Sequence, residues 1–244
     1  MTTVRIDLEY DGSGFRGWAK QPGLRTVQGE LEAALATVLR EEVELTVAGR
    51  TDTGVHALGQ VASLETEAEV PAHLVRSLNG VGPDDIAVTA AAVVTDGFNA
   101  RHDARSRTYL YRVLARKSPS PFEGGRALWW PHPMDRNVLS ACATALLGIH
   151  DFTAFTPTQT DHVRFERDVL TASWTADGDI LSFRITADAF MRNMVRVLVG
   201  TMLEVGSGRR SLDSFTNLLT GAPRNEAGDT APSHGLYLES VAYD

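Results

Sequence analysis

Val4-Arg5-Ile6-Asp7-Leu8-Glu9-Tyr10 alternates apolar and polar side chains along its whole length. A period of two puts Val4, Ile6, Leu8 and Tyr10 on one face of an extended chain, the pattern of a half-buried strand. Working outward, Asp11 to Gly23 is glycine-rich and reads as a loop, and Thr26 is placed to cap a helix. Val27, Leu31, Ala34, Leu35, Val38 and Leu39 then recur at helical spacing on one face. Val43, Leu45 and Val47 return to alternation, and Gly49 to His56 is a polar, glycine-containing loop. Gln60 to Thr66 reads as a strand, Pro71 to Leu78 as a short helix and Ile86 to Val94 as a further strand. Strand, helix, strand, strand, helix, strand is the ferredoxin-like order.

The second half shows the same alternation of elements. Thr108 to Leu114 is strand-like, with Tyr109, Tyr111 and Val113 on one side, and Asn137 to Leu147 is helical. Val169 to Trp174 and Ile180 to Ile185 read as two strands around Asp177-Gly178. Phe190 to Val205 reads as a long apolar helix, Leu212 to Leu219 as another, and Leu236 to Tyr243 as a closing strand. The expected fold is therefore α+β: two ferredoxin-like or RRM-like halves with antiparallel sheets and a cleft between them. The halves are predicted over 1–105 and 106–244, joined near Ala100 to Arg107. No sequence identity relates them, so the repeat is one of topology.

Composition bounds the partners. The chain has 244 residues, 43% of them hydrophobic and 22% charged, enough to bury a core and unlike a disordered segment. The longest apolar stretch, Ala87 to Val94, is far short of the roughly 20 residues of a membrane-spanning helix. With no signal-peptide core and a single cysteine, Cys142, the cytoplasm is the expected compartment. A net charge of −8 speaks globally against nucleic acid. Locally it does not: Arg101 to Lys117 carries a net +5 and Phe190 to Arg210 a net +3, leaving −16 for the remainder. Such segregation suits a basic face on an acidic body, although two solvated charge runs would look the same.

Two motifs are set aside on context. Gly12-Ser13-Gly14-Phe15-Arg16-Gly17 has dinucleotide-binding spacing and follows a strand, but that chemistry needs a helix to begin at the turn. Here Pro22 and Gly23 intervene, and no acidic residue stands about 20 residues on at a strand end. The seven histidines lack metal-ligand spacing, and Cys142, within a helical pattern, reads as a small core residue. No metal or other cofactor is expected.

The loop Gly49-Arg50-Thr51-Asp52-Thr53-Gly54-Val55-His56 offers one carboxylate among a cation, hydroxyls and two glycines. By pattern alone Asp52 is a turn former. The segment resembles the active-site signature of the TruA family of tRNA pseudouridine synthases, and further blocks match in order. They are Tyr10 to Trp18, Thr26 to Glu32, Phe98 to Arg101 followed by Arg107 to Tyr111, His150-Asp151-Phe152, Phe190 to Arg196, and Gly235 to Leu238. Together they span nearly the whole chain. Ala19 stands where the family commonly has Gln, and Thr53 where Ala is usual; both bear on RNA contact rather than catalysis.

The resemblance implies an isomerase that converts uridine to pseudouridine in the anticodon arm of tRNA, at family positions 38–40, acting as a homodimer. It implies Asp52 as nucleophile, Tyr109 stacked on the target uracil and Arg196 beside Asp52. Arg50 would hold the base out of the stack, and the basic residues Arg101 and Arg107 would contact the RNA. The chemistry suits these residue types. The uracil N1–C1′ bond breaks, the base turns, and C5 bonds to C1′; nothing is left over, so no external cofactor is required. A carboxylate can attack C1′, add to C6 or assist at C2′, and in each case it must be ionised, which a neighbouring guanidinium favours. A detached base needs an aromatic face, worth about 1–3 kcal/mol in stacking. The target must also be flipped out of the RNA stack.

The residues by themselves leave alternatives. Tyr109 and Tyr111 could both be core, and Arg196 could reach water from its apolar helix. A non-catalytic RNA-binding module would display aromatics on a sheet in the same way. A nucleoside hydrolase would need a second carboxylate, and this loop has none. Membrane and DNA partners are not expected. His150-Asp151 reads as structural.

Overall fold

The computed structural model describes residues 1–160 and 163–243. It is a mixed α/β protein whose strands pair mostly antiparallel. The chain divides into two compact units, residues 1–105 with 237 onward, and 106–236.

In the first unit, strand β1 (Thr2–Tyr10) is central. Its predicted inner face, Val4, Ile6, Leu8 and Tyr10, is at most 4% exposed. It pairs antiparallel with β3 (His56–Thr66) on one side and β4 (Ile86–Val93) on the other. Helices α1 (Val27–Leu39) and α2 (Leu74–Val81) contact each other. Thr26 caps α1 as expected, its hydroxyl accepting from the Gly29 amide at 3.2 Å. The alternation at Val43, Leu45 and Val47 is reflected in burial, but only β2 (Thr46–Val47) pairs, with Ser63 and Ala62 of β3. The cause lies upstream: the Leu45 amide donates to Glu32 Oε1 at 3.1 Å and so leaves the ladder. Helix α2 starts at Leu74 rather than Pro71, because Pro71 to Leu74 closes a turn of its own, with Leu74 N donating to Pro71 O. The last strand, β10 (Leu236–Ala242), returns to this unit and pairs in parallel with β3, Tyr237 opposite His56 and Leu238 opposite Ala57.

In the second unit, β5 (Ser106–Leu114), β9 (Ile180–Ala187), β8 (Glu166–Asp177) and β7 (Gly148–Asp151) lie side by side and antiparallel. Two residues of β6 (Leu128–Trp129) pair in parallel with the end of β5. Helix α3 (Arg136–Ala145) packs on β8 and on α4 (Met194–Gly206), and α5 (Leu212–Asn217) touches both helices. Cys142 on α3 is fully buried. Helix α4 is apolar on almost every side because it is surrounded: Val197, Leu198, Val199 and Met202 have no exposure. It begins four residues later than its hydropathy suggests. Asn193 adopts a left-handed conformation (φ 62°) that no helix continues through, and Met191 to Met194 forms a turn ahead of it.

Candidate active site

Asp52 sits on the connection from β2 to β3. The Val55 amide donates to the Asp52 carbonyl at 3.1 Å, and Gly54 has φ +76°. A bond from the first to the fourth residue with a positive φ at the third position is the type II turn signature, which is why glycine stands at 54. Asp52 is thus a turn former through its backbone, while its half-buried side chain is positioned by the turn.

What holds that turn is a set of buried polar contacts. The hydroxyls of Tyr10 and Thr51 lie 2.7 Å apart. Gln60 Nε2 donates to the Tyr10 hydroxyl at 3.3 Å and to the Gly49 carbonyl at 2.8 Å. All three side chains are nearly inaccessible, and Tyr10 is pushed up to about 12 by burial, with the bonds to Thr51 and Gln60 opposing. A buried hydroxyl with such partners is costly to disturb, because each partner left alone loses its only substitute for water.

The Asp11-to-Gly23 loop closes over the same turn. Trp18 N donates to the Thr51 carbonyl at 3.0 Å, and Gly12 N donates to His56 Nδ1 at 3.0 Å. The second bond makes Nδ1 an acceptor and places the ring proton on Nε2. Asp11 Oδ1 lies 3.2 Å from the same nitrogen, but it already accepts from the Ser13 amide, and the Gly12 bond better explains the ring's orientation. The imidazole stacks on Tyr237 of β10, with centroids 4.6 Å apart and planes 21° apart. Gly12 has no room for a side chain: a Cβ there would meet the Val55 carbonyl oxygen at 2.0 Å. The glycines that imitate a dinucleotide fingerprint therefore serve backbone-to-backbone contact with the Asp52 loop.

Arg50 and Arg101 are exposed and line one cavity of about 790 Å³ in the first unit, together with Trp18, Lys20, Gln28 and Glu32. In the second unit, Arg107 and Tyr109 lie on β5. Arg107 donates to the Asp188 carbonyl at 3.0 Å. Tyr109 is 9% exposed and meets Phe190 edge to face at 4.9 Å, whereas Tyr111 has no exposure and donates to the Pro232 carbonyl at 2.8 Å. Burial pushes the Tyr111 hydroxyl up, partly countered by the positive charge of Arg196. Arg196 is half-buried on the first turn of α4. Its Nε donates to the Ala231 carbonyl at 2.7 Å and its Nη1 to Asn193 Oδ1 at 2.9 Å. The strained Asn193 thus doubles as a guide for the arginine side chain.

The family model for tRNA pseudouridine synthases matches residues 8–103 and 142–244. This chain belongs to that family. It is 40% identical over 244 residues to tRNA pseudouridine synthase A of Bacillus subtilis (strain 168), with 99% of each chain covered. It is 41% identical to the Bacillus velezensis protein of the same name, with the same coverage. Against that of Bifidobacterium longum (strain DJO10A) it is 40% identical over 285 residues, covering all of this chain and 94% of that one. Among solved structures, a chain of a Cbf5-Nop10-Gar1 complex gives a TM-score of 0.34 at 13% identity, over 82% of this chain and 54% of that one, too distant to bear on the fold.

For a synthase of this family the Asp52 loop is the segment on which the buried contacts converge. Sequence reading placed Tyr10 and His56 inside matched blocks without giving either a role, and it missed Gln60. Tyr10 closes an apolar strand face and so looks like core, while His56 and Gln60 are buried on β3, a strand covered along most of its length, which leaves no polar face to mark them. The one available signal was a glutamine at a position where β3 should point inward.

Proposed function

We propose that this synthase acts on uridines of the tRNA anticodon stem-loop, at family positions 38–40, with Asp52 as the nucleophile. In this reading Arg196 lies beside the carboxylate and favours its ionised form, and Tyr109 stacks on the uracil. Arg50 holds the flipped base out of the RNA stack, while Arg101 and Arg107 contact the RNA. The N1–C1′ bond breaks, the base turns, C5 bonds to C1′ and loses its proton, and N1 ends protonated. The net change is an isomerisation that draws on no co-reactant.

The observation that carries the proposal is the support under Asp52. A turn on a flexible connection would not be expected to be gripped from below by Tyr10, Gln60 and Thr51 and from above by Gly12, Trp18 and His56. Such fixation suits a carboxylate that must meet a sugar carbon within a few tenths of an ångström. The finer fold belongs to the same proposal. The side-by-side order β4-β1-β3-β2, with α1 and α2 as crossovers, supports a ferredoxin-like first half. Two domains divided near residue 105, with the last strand β10 returned to the first rather than kept in 106–244, a substrate cleft between them, a homodimer and a cytoplasmic location complete it.

The test is incubation with an unmodified tRNA transcript followed by mapping of pseudouridine. Asp52→Ala is expected to abolish product while tRNA affinity stays within about twofold, a small change on the free-energy scale. Retained turnover in that variant overturns the catalytic assignment, and free uracil as product points instead to a hydrolase.

A further inference from the structure

Asn193 opens α4 and breaks two local rules in doing so. The helix starts from it, its carbonyl accepting the Val197 amide at 3.0 Å. A residue in that place is ordinarily extended, and an asparagine there turns its side-chain oxygen back onto an amide of the first turn. Thr26, Asp135 and Ser211 follow that rule at α1, α3 and α5: each is extended, and each side chain accepts from an amide two or three residues on. Asn193 does neither. Its φ is 62°, in the left-handed region, and its side chain caps no amide of the helix. Asparagine enters that region more readily than most residues, yet the region is sparsely populated even so.

The side chain holds Arg196 instead. Its Oδ1 accepts from Arg196 Nη1 at 2.9 Å. The Ala231 carbonyl accepts from Arg196 Nε at 2.7 Å, and the Ala231 amide donates to the Arg196 carbonyl at 3.1 Å. Ala231 is buried, and its segment is tied to α4 again where the Gly228 amide donates to Thr201 Oγ1 at 3.0 Å. Two nitrogens of one guanidinium are thus pinned, one by the residue that starts the helix and one by the 228–231 segment. Two bonds to a planar group set the direction of its plane. An arginine without such ties samples many rotamers, and ordering it costs entropy. A cap given up and a left-handed backbone are stability set aside at a single residue. Departures of that kind gather where a side chain must be held for function.

We propose that Asn193 is a positioning residue for the isomerisation, its side-chain amide fixing the Arg196 guanidinium for its part in the reaction. The inference rests on the reading in which Arg196 lies beside Asp52 and favours the ionised carboxylate.

The test separates the backbone of Asn193 from its side chain. Asn193→Gly adopts the left-handed φ without strain and removes the amide, whereas Asn193→Ala removes the amide and keeps the strain. Both are compared with the parent, with Arg196→Gln and with the double variant Asn193→Gly plus Arg196→Gln. The readouts are kcat and KM for pseudouridine formation on an unmodified tRNA transcript, from about pH 5 to 9, with thermal midpoints alongside. In Asn193→Gly and Asn193→Ala alike, kcat is expected to fall about 10- to 100-fold, with KM within about twofold of the parent. The midpoint follows the backbone instead, Asn193→Ala lying below Asn193→Gly by roughly 2–6 °C. The acid limb of the kcat profile should move up by roughly 0.5–1 pH unit in Asn193→Gly, because a guanidinium that wanders favours the ionised carboxylate less. In the double variant Asn193→Gly should add less than about twofold to the loss caused by Arg196→Gln, since a holder has no effect once the group it holds is gone. Parent-like kcat in Asn193→Gly beside a slow Arg196→Gln overturns the positioning role and leaves the reading of Arg196 standing. A loss that multiplies in full in the double variant overturns it too, as does one that follows the midpoint with the acid limb in place. Parent-like turnover in Arg196→Gln removes the reading of Arg196 and the inference with it.

Discussion

At the residue scale, Tyr10 joins a core position to the candidate site. Its ring completes the inner face of β1, and its hydroxyl stands 2.7 Å from Thr51, the neighbour of Asp52. Tyr10→Phe keeps the ring and removes the bond, leaving the buried Thr51 hydroxyl without that partner. The expected loss of stability is about 1–2 kcal/mol. The expected fall in kcat is roughly 10- to 100-fold with tRNA affinity little changed, because the carboxylate shifts while the RNA-contacting surface does not. Stopped-assay kinetics with a binding titration separate the two, and an unchanged kcat would refute the positioning role. Tyr10 also carries a pH signature. Its folded-state value, about 12, lies above the ordinary 10, so the protonated form is favoured by folding. That contribution is fully present below pH 10 and is lost as pH rises from 10 toward 12. Urea midpoints should therefore fall across that window, by up to about 3 kcal/mol of unfolding free energy from Tyr10 alone. The fall should be shallower in Tyr10→Phe, with the remainder reporting Tyr111, which burial shifts in the same direction.

At the scale of elements, α4 reverses an ordinary expectation. A glycine in mid-helix is usually improved by alanine, by about 1 kcal/mol. Gly200 is such a glycine, but a Cβ there would lie 1.8 Å from the Asp229 carbonyl oxygen. The segment around 228–231 is bonded along the same face: Gly228 N to Thr201 Oγ1, Ala231 N to Arg196 O, and Arg196 Nε to Ala231 O. Gly200→Ala must push that segment off and disturb the setting of Arg196. The expected result is a destabilisation of about 2–3 kcal/mol, in the range of an overpacked core, read as a lower urea midpoint. A stabilised variant would show the contact to be slack. The sequence made these elements legible to different degrees, for physical reasons. Strand β1 and helix α1 read cleanly because one face of each is buried and the other is wet, so periodicity survives. Helix α4 read as too long because it is buried nearly all round: Phe190 and Met191 look like its first turn, and only the backbone of Asn193 says otherwise. Strand β2 read as too long because its pairing is ended by a side chain, Glu32, that lies 13 residues away. Strand β7 was not read at all, four residues being too few to show a period. At the candidate site, Asp52 and its loop were legible as a motif. The Tyr10 and Gln60 support was not, since it depends on which strands are neighbours.

At the scale of the whole molecule, the chain's end is structural to its beginning. Strand β10 is the last element, yet it pairs with β3 and stacks Tyr237 on His56, the residue that receives the Gly12 amide. Further along, Arg105 N donates to Ala242 O at 2.8 Å, the Tyr243 hydroxyl donates to Ala100 O at 2.8 Å, and Arg5 lies over the Tyr243 ring at 4.9 Å. Leu238 has no exposure and Tyr237 only 8%. Removing residues 237–244 therefore uncovers the start of β3, where the Asp52 turn is anchored, and leaves its backbone groups to water. Burial of one such large apolar side chain is worth about 1.5–3 kcal/mol and the aromatic stack about 0.5–1.5 kcal/mol. The truncated chain is expected to lose native-state hydrogen-exchange protection at the amides of residues 56–60 first, while the β8–β9 hairpin of the second unit keeps its own. Pseudouridine formation should fall in parallel with that local protection rather than with overall helix content. Equal protection at residues 56–60 with and without the strand would mean that β3 holds the Asp52 loop unaided, and that the chain's return to its first unit contributes nothing to the site.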